Sequence, residues 1–428
     1  MPSRILLTTY GSLGDLHPFL AIALELKARG HRPVIATSSL YRPNVEELGI
    51  EFHPIAPDMT PPEEWNAASI SAMHSKKGPE LFIRYVMMPA LRQSYADLLP
   101  VMREADLTVS QRLIMAAPLC AQVLQKRWLS AALSPVAFGS TTDPCYFPGS
   151  PLNQKLRATP YSRRIFKAWA RMISSRWVRE VARFRAELGL PRGPHPLSEA
   201  SLSPHGVLAL FSRQLAAPQP DWPQNTIQTG TCFHNSAEQN NSSSTLAPEI
   251  EAFLQKGEAP VIFTLGSATV YLPGNFYITA VEAIRSLNKR ALLLIGPEAN
   301  RPANLPQNDE QIAAFEYAPF SKLFGRGSVV VHQGGAGTTG QVLQAGLPSL
   351  VMPQVNDQFD NAMRMQRRGA SRMMTRTDCN AQHMAQQLNE LLNNPQYTRA
   401  AQEIGRQVQQ EKGSAAAANA IERQLAAN

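Results

Sequence analysis

The residues best suited to chemistry are His332-Gln333-Gly334-Gly335-Ala336-Gly337-Thr338-Thr339, which follow an apolar run at 328–331 and open a stretch that Gly346 and Pro348 close. Where a strand turns into a helix amino terminus, glycines let backbone N–H groups and the positive end of the helix dipole approach an anion. The pattern predicts a diphosphate cradle, with Thr338 adding its hydroxyl and His332 a hydrogen bond or a proton's charge. The chain holds no Asp-x-Asp, the simplest clamp for a divalent ion against a diphosphate. No metal or other cofactor is therefore expected, and dipoles with neutral or basic side chains must hold the anion.

A glycine turn also serves simply to pack a helix on a strand, so its neighbours matter. Upstream, Tyr317-Ala318-Pro319 offers an aromatic ring and backbone groups to a planar base. Downstream, Asp357-Gln358-Phe359-Asp360-Asn361 opens a helix. There a carboxylate and an amide act either as a cap or, beside a diphosphate, as partners for sugar hydroxyls. A diphosphate that leaves as an anion needs a base for the attacking hydroxyl. Tyr10-Gly11-Ser12-Leu13-Gly14-Asp15-Leu16-His17-Pro18 carries two candidates, Asp15 and His17.

The elements that must position these groups read as two α/β halves. Residues 4–9, 33–37 and 51–55 are predicted strands, and 18–28 a helix with Pro18 in its first turn and Gly30 past its end. A second start at Pro260 gives strands 261–265, closed by Gly266-Ser267, and 291–295, with a helix over 276–286 between them. Strands at 328–331 and 349–352 flank the glycine turn. At 428 residues the chain exceeds the roughly 250–300 that one core serves. The expected division is 1–234, a linker at 235–259, a second domain at 260–405, and a C-terminal helix in 406–428 returning to the first. Residues 235–245 read as a flexible polar loop. Such sheets bind ligands at their carboxyl ends.

Hydrophobic residues make up 44% and charged residues 17% of the chain, as in an ordinary globular protein. No apolar run approaches the roughly 20 residues of a membrane-spanning helix, and 5–9 is too short for a secretory signal; a cytoplasmic protein is expected. The four cysteines stand apart, without metal-ligand spacing. The net charge of +8 resides in 155–187, which holds ten basic and two acidic side chains. Nucleic acid is therefore not an expected partner. In that segment Trp169, Ile173, Trp177, Val181 and Phe184 form one helical stripe. This is the profile of an interfacial helix on an anionic membrane, or of a helix that packs the stripe on its own domain.

Tyr-Ala-Pro, His-x-Gly-Gly-x-Gly-Thr, Ala-Gly-x-Pro and Asp-Gln-x-x-Asn-Ala occur in order here. Together they resemble the donor signature of glycosyltransferase family 1, inverting enzymes with the GT-B fold of two Rossmann-like domains whose parallel sheets face a central cleft. The resemblance implies that His332 and the backbone of Gly334, Gly335, Ala336, Gly337 and Thr338 take the pyrophosphate. It gives the sugar to Asp357 and Gln358, with Asn361 in the same motif, and the base to Tyr317 and Ala318. Ser267, after Gly266, matches a further phosphate-contacting position. By register, Gly14-Asp15-x-x-Pro18 makes Asp15 the general base and leaves Ser12, Gly14 and His17 in the acceptor loop. Other segments, among them 217–224 and 275–277, are similar to the branch that builds rhamnolipids, which has Phe where His17 stands. The implied co-substrates are dTDP-rhamnose and a small hydrophobic hydroxyl acceptor. Alternatives are UDP-glucose with a sterol, polyketide or phenolic, a GT-B epimerase, and a silent nucleotide-binding partner protein.

Overall fold

The computed structural model describes residues 2–61, 64, 77–146, 159–234, 246–307 and 309–427. The flexible loop expected at 235–245 lies outside them, as do the first four residues of the basic segment. The chain forms two compact units, Met1–Cys232 with Lys412–Asn428, and Phe233–Glu411.

The first unit holds a seven-stranded sheet in the order β3-β2-β1-β4-β5-β6-β7. The strands are β1 (Arg4–Thr8), β2 (Arg32–Thr37), β3 (Glu51–Pro54), β4 (Leu107–Gln111), β5 (Trp128–Ala132), β6 (Val207–Ala209) and β7 (Thr226–Gln228). Every pairing is parallel; the inner strands are largely buried, whereas the edge strands β3 and β7 are only partly covered. Helix α1 spans Leu13–Ala28, five residues earlier than the Pro18 start expected from sequence. The reason is a capping box: Ser12 and Asp15 satisfy the first-turn amides and Pro18 falls inside the helix. The sequence stripe 169–184 does not run through one helix either. It is cut into α2 (Pro160–Ser175) and α3 (Arg179–Glu187). Val181 and Phe184 of α3 enter the core, whereas α2 has no buried residue.

The second unit holds a six-stranded sheet in the order β10-β9-β8-β11-β12-β13. Its strands are β8 (Val261–Thr264), β9 (Ala291–Leu294), β10 (Ile312–Phe315), β11 (Val329–His332), β12 (Ser349–Val351) and β13 (Ser371–Met373), again all parallel. Helix α4 (Pro248–Gln255) lies where the sequence suggested only linker, with Ile250, Phe253 and Leu254 buried. Helices α5 (Ala336–Ala345) and α6 (Gln358–Arg367) follow β11 and β12, and α7 (Pro395–Gln410) ends the unit.

The C-terminal segment is not one helix from 406. A fresh helix, α8 (Gly413–Ala426), belongs to the first unit, where Ala417, Ala418, Ala420 and Ile421 share a buried cluster with Phe19, Leu20 and Ile22 of α1. Arg29 closes the contact through Glu422 at 2.8 Å. Among the described residues no helix is long and apolar enough to cross a membrane.

Candidate functional site

In the first unit the carboxyl ends of the adjacent strands β1 and β4 converge on Asp15. Its Oδ2 accepts from the Ser12 backbone N–H at 2.9 Å, and the Ser12 hydroxyl takes the Gly14 N–H at 3.3 Å. Asp15 is thus the third-position member of the capping box of α1. Capping engages one carboxylate oxygen. The other, Oδ1, accepts from Nε2 of Gln111 at 2.9 Å, and Gln111 Oε1 in turn accepts from the Tyr10 N–H at 3.2 Å. A half-buried carboxylate is thereby fixed between a helix start and the last residue of β4. Gly11 makes room for it. At φ +137°, a Cβ there would stand 2.3 Å from Asp15 Oδ2.

Tyr10 is a poor rival as base, because burial, helped by the charge of Asp58, pushes its phenol up to about 12. His17, two residues further along α1, is half-buried. Gln111 was invisible to motif reading, since a glutamine that ends a buried strand carries no local signature.

In the second unit the glycine turn leaves β11, which lies between β8 and β12. Gly335 is the N-cap of α5, and no side chain caps that end, so first-turn amides have no carbonyl within the helix. His332 is fully buried. Its Nδ1 accepts from the Gly334 N–H at 3.1 Å, and burial pulls its pKa down to about 3. The ring is therefore neutral, with its proton on Nε2, which has no partner among the described residues. Of the two roles expected for His332, a hydrogen bond or a proton's charge, the neutral ring is suited to the first, as an N–H donor.

Gln333 adds a second neutral group that sequence reading passed over. Its Nε2 would stand 2.2 Å from a Cβ on Gly266 and 2.9 Å from one on Gly335. The amide thus fills the space that these two glycines leave between the β8 and β11 turns. It reaches Thr338 Oγ1 at 3.4 Å, while its Oε1 is buried without a partner. Ser267, beyond Gly266, is exposed.

The Asp357 loop joins the same turn. Asn361 donates from Nδ2 to the Gly334 carbonyl at 2.9 Å and to Asp357 Oδ2 at 3.0 Å. Gln358 Oε1 accepts from the N–H groups of Gln354 and Val355 at 2.8 and 3.1 Å, which shapes the loop after β12. Asn361, fully buried, is a positioning residue. Asp357 is half-buried. Tyr317 follows β10 with its side chain 67% exposed, and Ala318 beside it is buried.

Against known proteins, residues 5–122 match the Glycosyltransferase family 28 N-terminal domain. Residues 291–423 match the "Erythromycin biosynthesis protein CIII-like, C-terminal domain". The O-mycaminosyltylonolide 6-deoxyallosyltransferase of Streptomyces fradiae is 30% identical over 96% of this chain and 94% of its own. The chain is a family 1 glycosyltransferase of the antibiotic and sterol type.

The sterol 3-beta-glucosyltransferase of Leptosphaeria maculans is 25% identical over 99% of this chain, which corresponds to 29% of that longer protein. Among solved structures, the glycotransferase of kitacinnamycin aligns with a TM-score of 0.72 at 20% identity over 99% of each chain. The glycosyltransferase VinC in complex with dTDP gives 0.68 at 17%, over 99% of this chain and 100% of that one. These likenesses establish the GT-B fold. The chain is a glycosyltransferase enzyme.

Proposed function

We propose that this glycosyltransferase moves a hexose or deoxyhexose, of the dTDP-rhamnose type, from a nucleoside diphosphate to a hydroxyl of a small hydrophobic acceptor, with inversion and without a metal ion. The observation that carries the reading is the neutral, buried His332, whose Nε2–H has no partner among the described residues. A donor held this way beside a helix amino terminus stabilises an anion at little reorganisation cost.

In the reaction the acceptor oxygen attacks the anomeric carbon and its proton passes to the Asp15 carboxylate. The bond from that carbon to the diphosphate oxygen breaks, and the electron pair goes to the diphosphate. His332, Thr338, Ser267 and the first amides of α5 receive that charge. Asp357 and Gln358 take the sugar hydroxyls, with Asn361 holding their loop, and Tyr317 with Ala318 takes the base. The dTDP-deoxyhexose choice is supported by the deoxyallosyl-transferring relative and by the dTDP complex of VinC.

A second reading, UDP-glucose with a sterol, polyketide or phenolic acceptor, is favoured by the Leptosphaeria relative. Thermal shift of the purified enzyme against dTDP-rhamnose and UDP-glucose separates the two, since a bound donor raises the melting temperature by mass action. A shift with dTDP-rhamnose supports the first reading. A shift with UDP-glucose alone transfers support to the second, and none with either rejects both.

A further inference from the structure

Helix α2 turns part of its apolar side outward, while Phe166, Ala170 and Ile173 are half-buried. A surface helix ordinarily buries its apolar stripe and exposes its charges. In α2, Tyr161, Ile165, Trp169 and Met172 are 75%, 50%, 49% and 61% exposed. They recur at four, four and three residues, a single stripe about three turns long. Among the described residues seven large hydrophobic side chains are exposed, and four of them are these. The concentration marks a patch, where isolated exposed apolar residues would need no explanation.

Polar side chains of α2 also bind its own unit. Arg163 donates to the carbonyls of Thr141 and Thr142 at 3.1 and 3.3 Å, Arg171 pairs with Glu199 at 2.6 Å, and Ser174 Oγ stands 3.2 Å from His195 Nε2. At 3.6 residues per turn, positions 163 and 174 fall on the side of the cylinder opposite the stripe, and 171 on its flank. The helix contains no acidic residue. Arg164 is exposed beside the stripe and Lys167 further round the helix, and neither forms an ion pair with a described residue.

We propose that α2 seats the protein on an anionic lipid bilayer, with the Tyr161–Ile165–Trp169–Met172 stripe in the acyl boundary and Arg164 at the headgroups. A two-fold contact between copies would set this cation against its own copy with no carboxylate on the helix to neutralise it. A bilayer surface supplies both what the stripe lacks, an apolar medium, and what the cation lacks, negative charge. The proposal is independent of the donor and of Asp15.

The test is co-sedimentation of the full chain with vesicles of phosphatidylcholine alone and of phosphatidylcholine with phosphatidylglycerol, at low and high salt. Two variants accompany it: Ile165→Ser, Trp169→Ser and Met172→Ser together, and Arg164→Glu. All four positions are exposed, so both variants should melt at the wild-type temperature. The wild type should pellet with the anionic vesicles and be released by salt, and each variant should bind roughly tenfold more weakly. Failure of the wild type to pellet at low salt, or binding by either variant as strong as that of the wild type, overturns the proposal. So does light scattering that finds a lipid-free dimer which the triple variant dissociates, because the stripe is then a self-interface.

Discussion

Gln111 at the end of β4 donates to Asp15 Oδ1 at 2.9 Å, so the side chain proposed to take the proton is oriented by a strand that contains no other part of the proposed machinery. Gln111 is bound in turn by the Tyr10 N–H, which makes the arrangement rigid from both sides. Asp15→Asn should cut turnover by about 10²–10⁴, the usual share of a general base, with donor affinity unchanged in a binding titration. Gln111→Leu should lower kcat by less and likewise spare donor affinity. A Gln111→Leu enzyme with normal kcat would show that the carboxylate needs no such orientation.

Gly11→Ala places a methyl group where Asp15 Oδ2 now sits and forces alanine to φ +137°. The backbone strain should cost about 1–3 kcal/mol in a urea unfolding experiment. Activity should fall further than stability explains, because the carboxylate is displaced. Wild-type activity in a stable alanine variant would mean that the Asp15 position is not critical.

His332 gives a signed pH prediction. Its folded pKa lies at about 3, below the ordinary 6.5, so the stabilisation of the neutral ring is complete above about pH 6.5 and is lost as pH falls towards 3. Wild-type stability should therefore decline through that window more steeply than that of His332→Asn, by an amount on the order of a few kcal/mol. Parallel declines would place the acid sensitivity elsewhere, for instance at the buried His195 or His234.

The strands expected from sequence were legible mostly because they are short runs buried on both faces, such as Val329–His332, whereas β4 to β7 and β13 were not assigned. The glycine turn was legible for the same reason that it is useful: few residues tolerate that backbone. Helix α1 was misjudged because Pro18 suggested a start, while the Ser12–Asp15 capping box set one earlier. The basic stripe was read as continuous because periodicity runs on across 176–178, where the helix breaks and the two parts acquire opposite burial. Gln111 and Gln333 could not be found from spacing. Their roles arise from partners that are 96 residues away in one case and held against Gly266, in the neighbouring strand's turn, in the other.

The central claim is that a neutral His332 and the amino terminus of α5 hold a nucleoside diphosphate without metal. Calorimetric titration of dTDP and UDP into the wild type and His332→Ala, in buffer containing a chelator, tests it most directly. The account predicts binding of at least one nucleotide by the wild type, weakened by about 10²-fold in the variant, as for loss of one buried anion donor. Equal affinity in the two proteins, or wild-type binding that appears only when magnesium is restored, would contradict it.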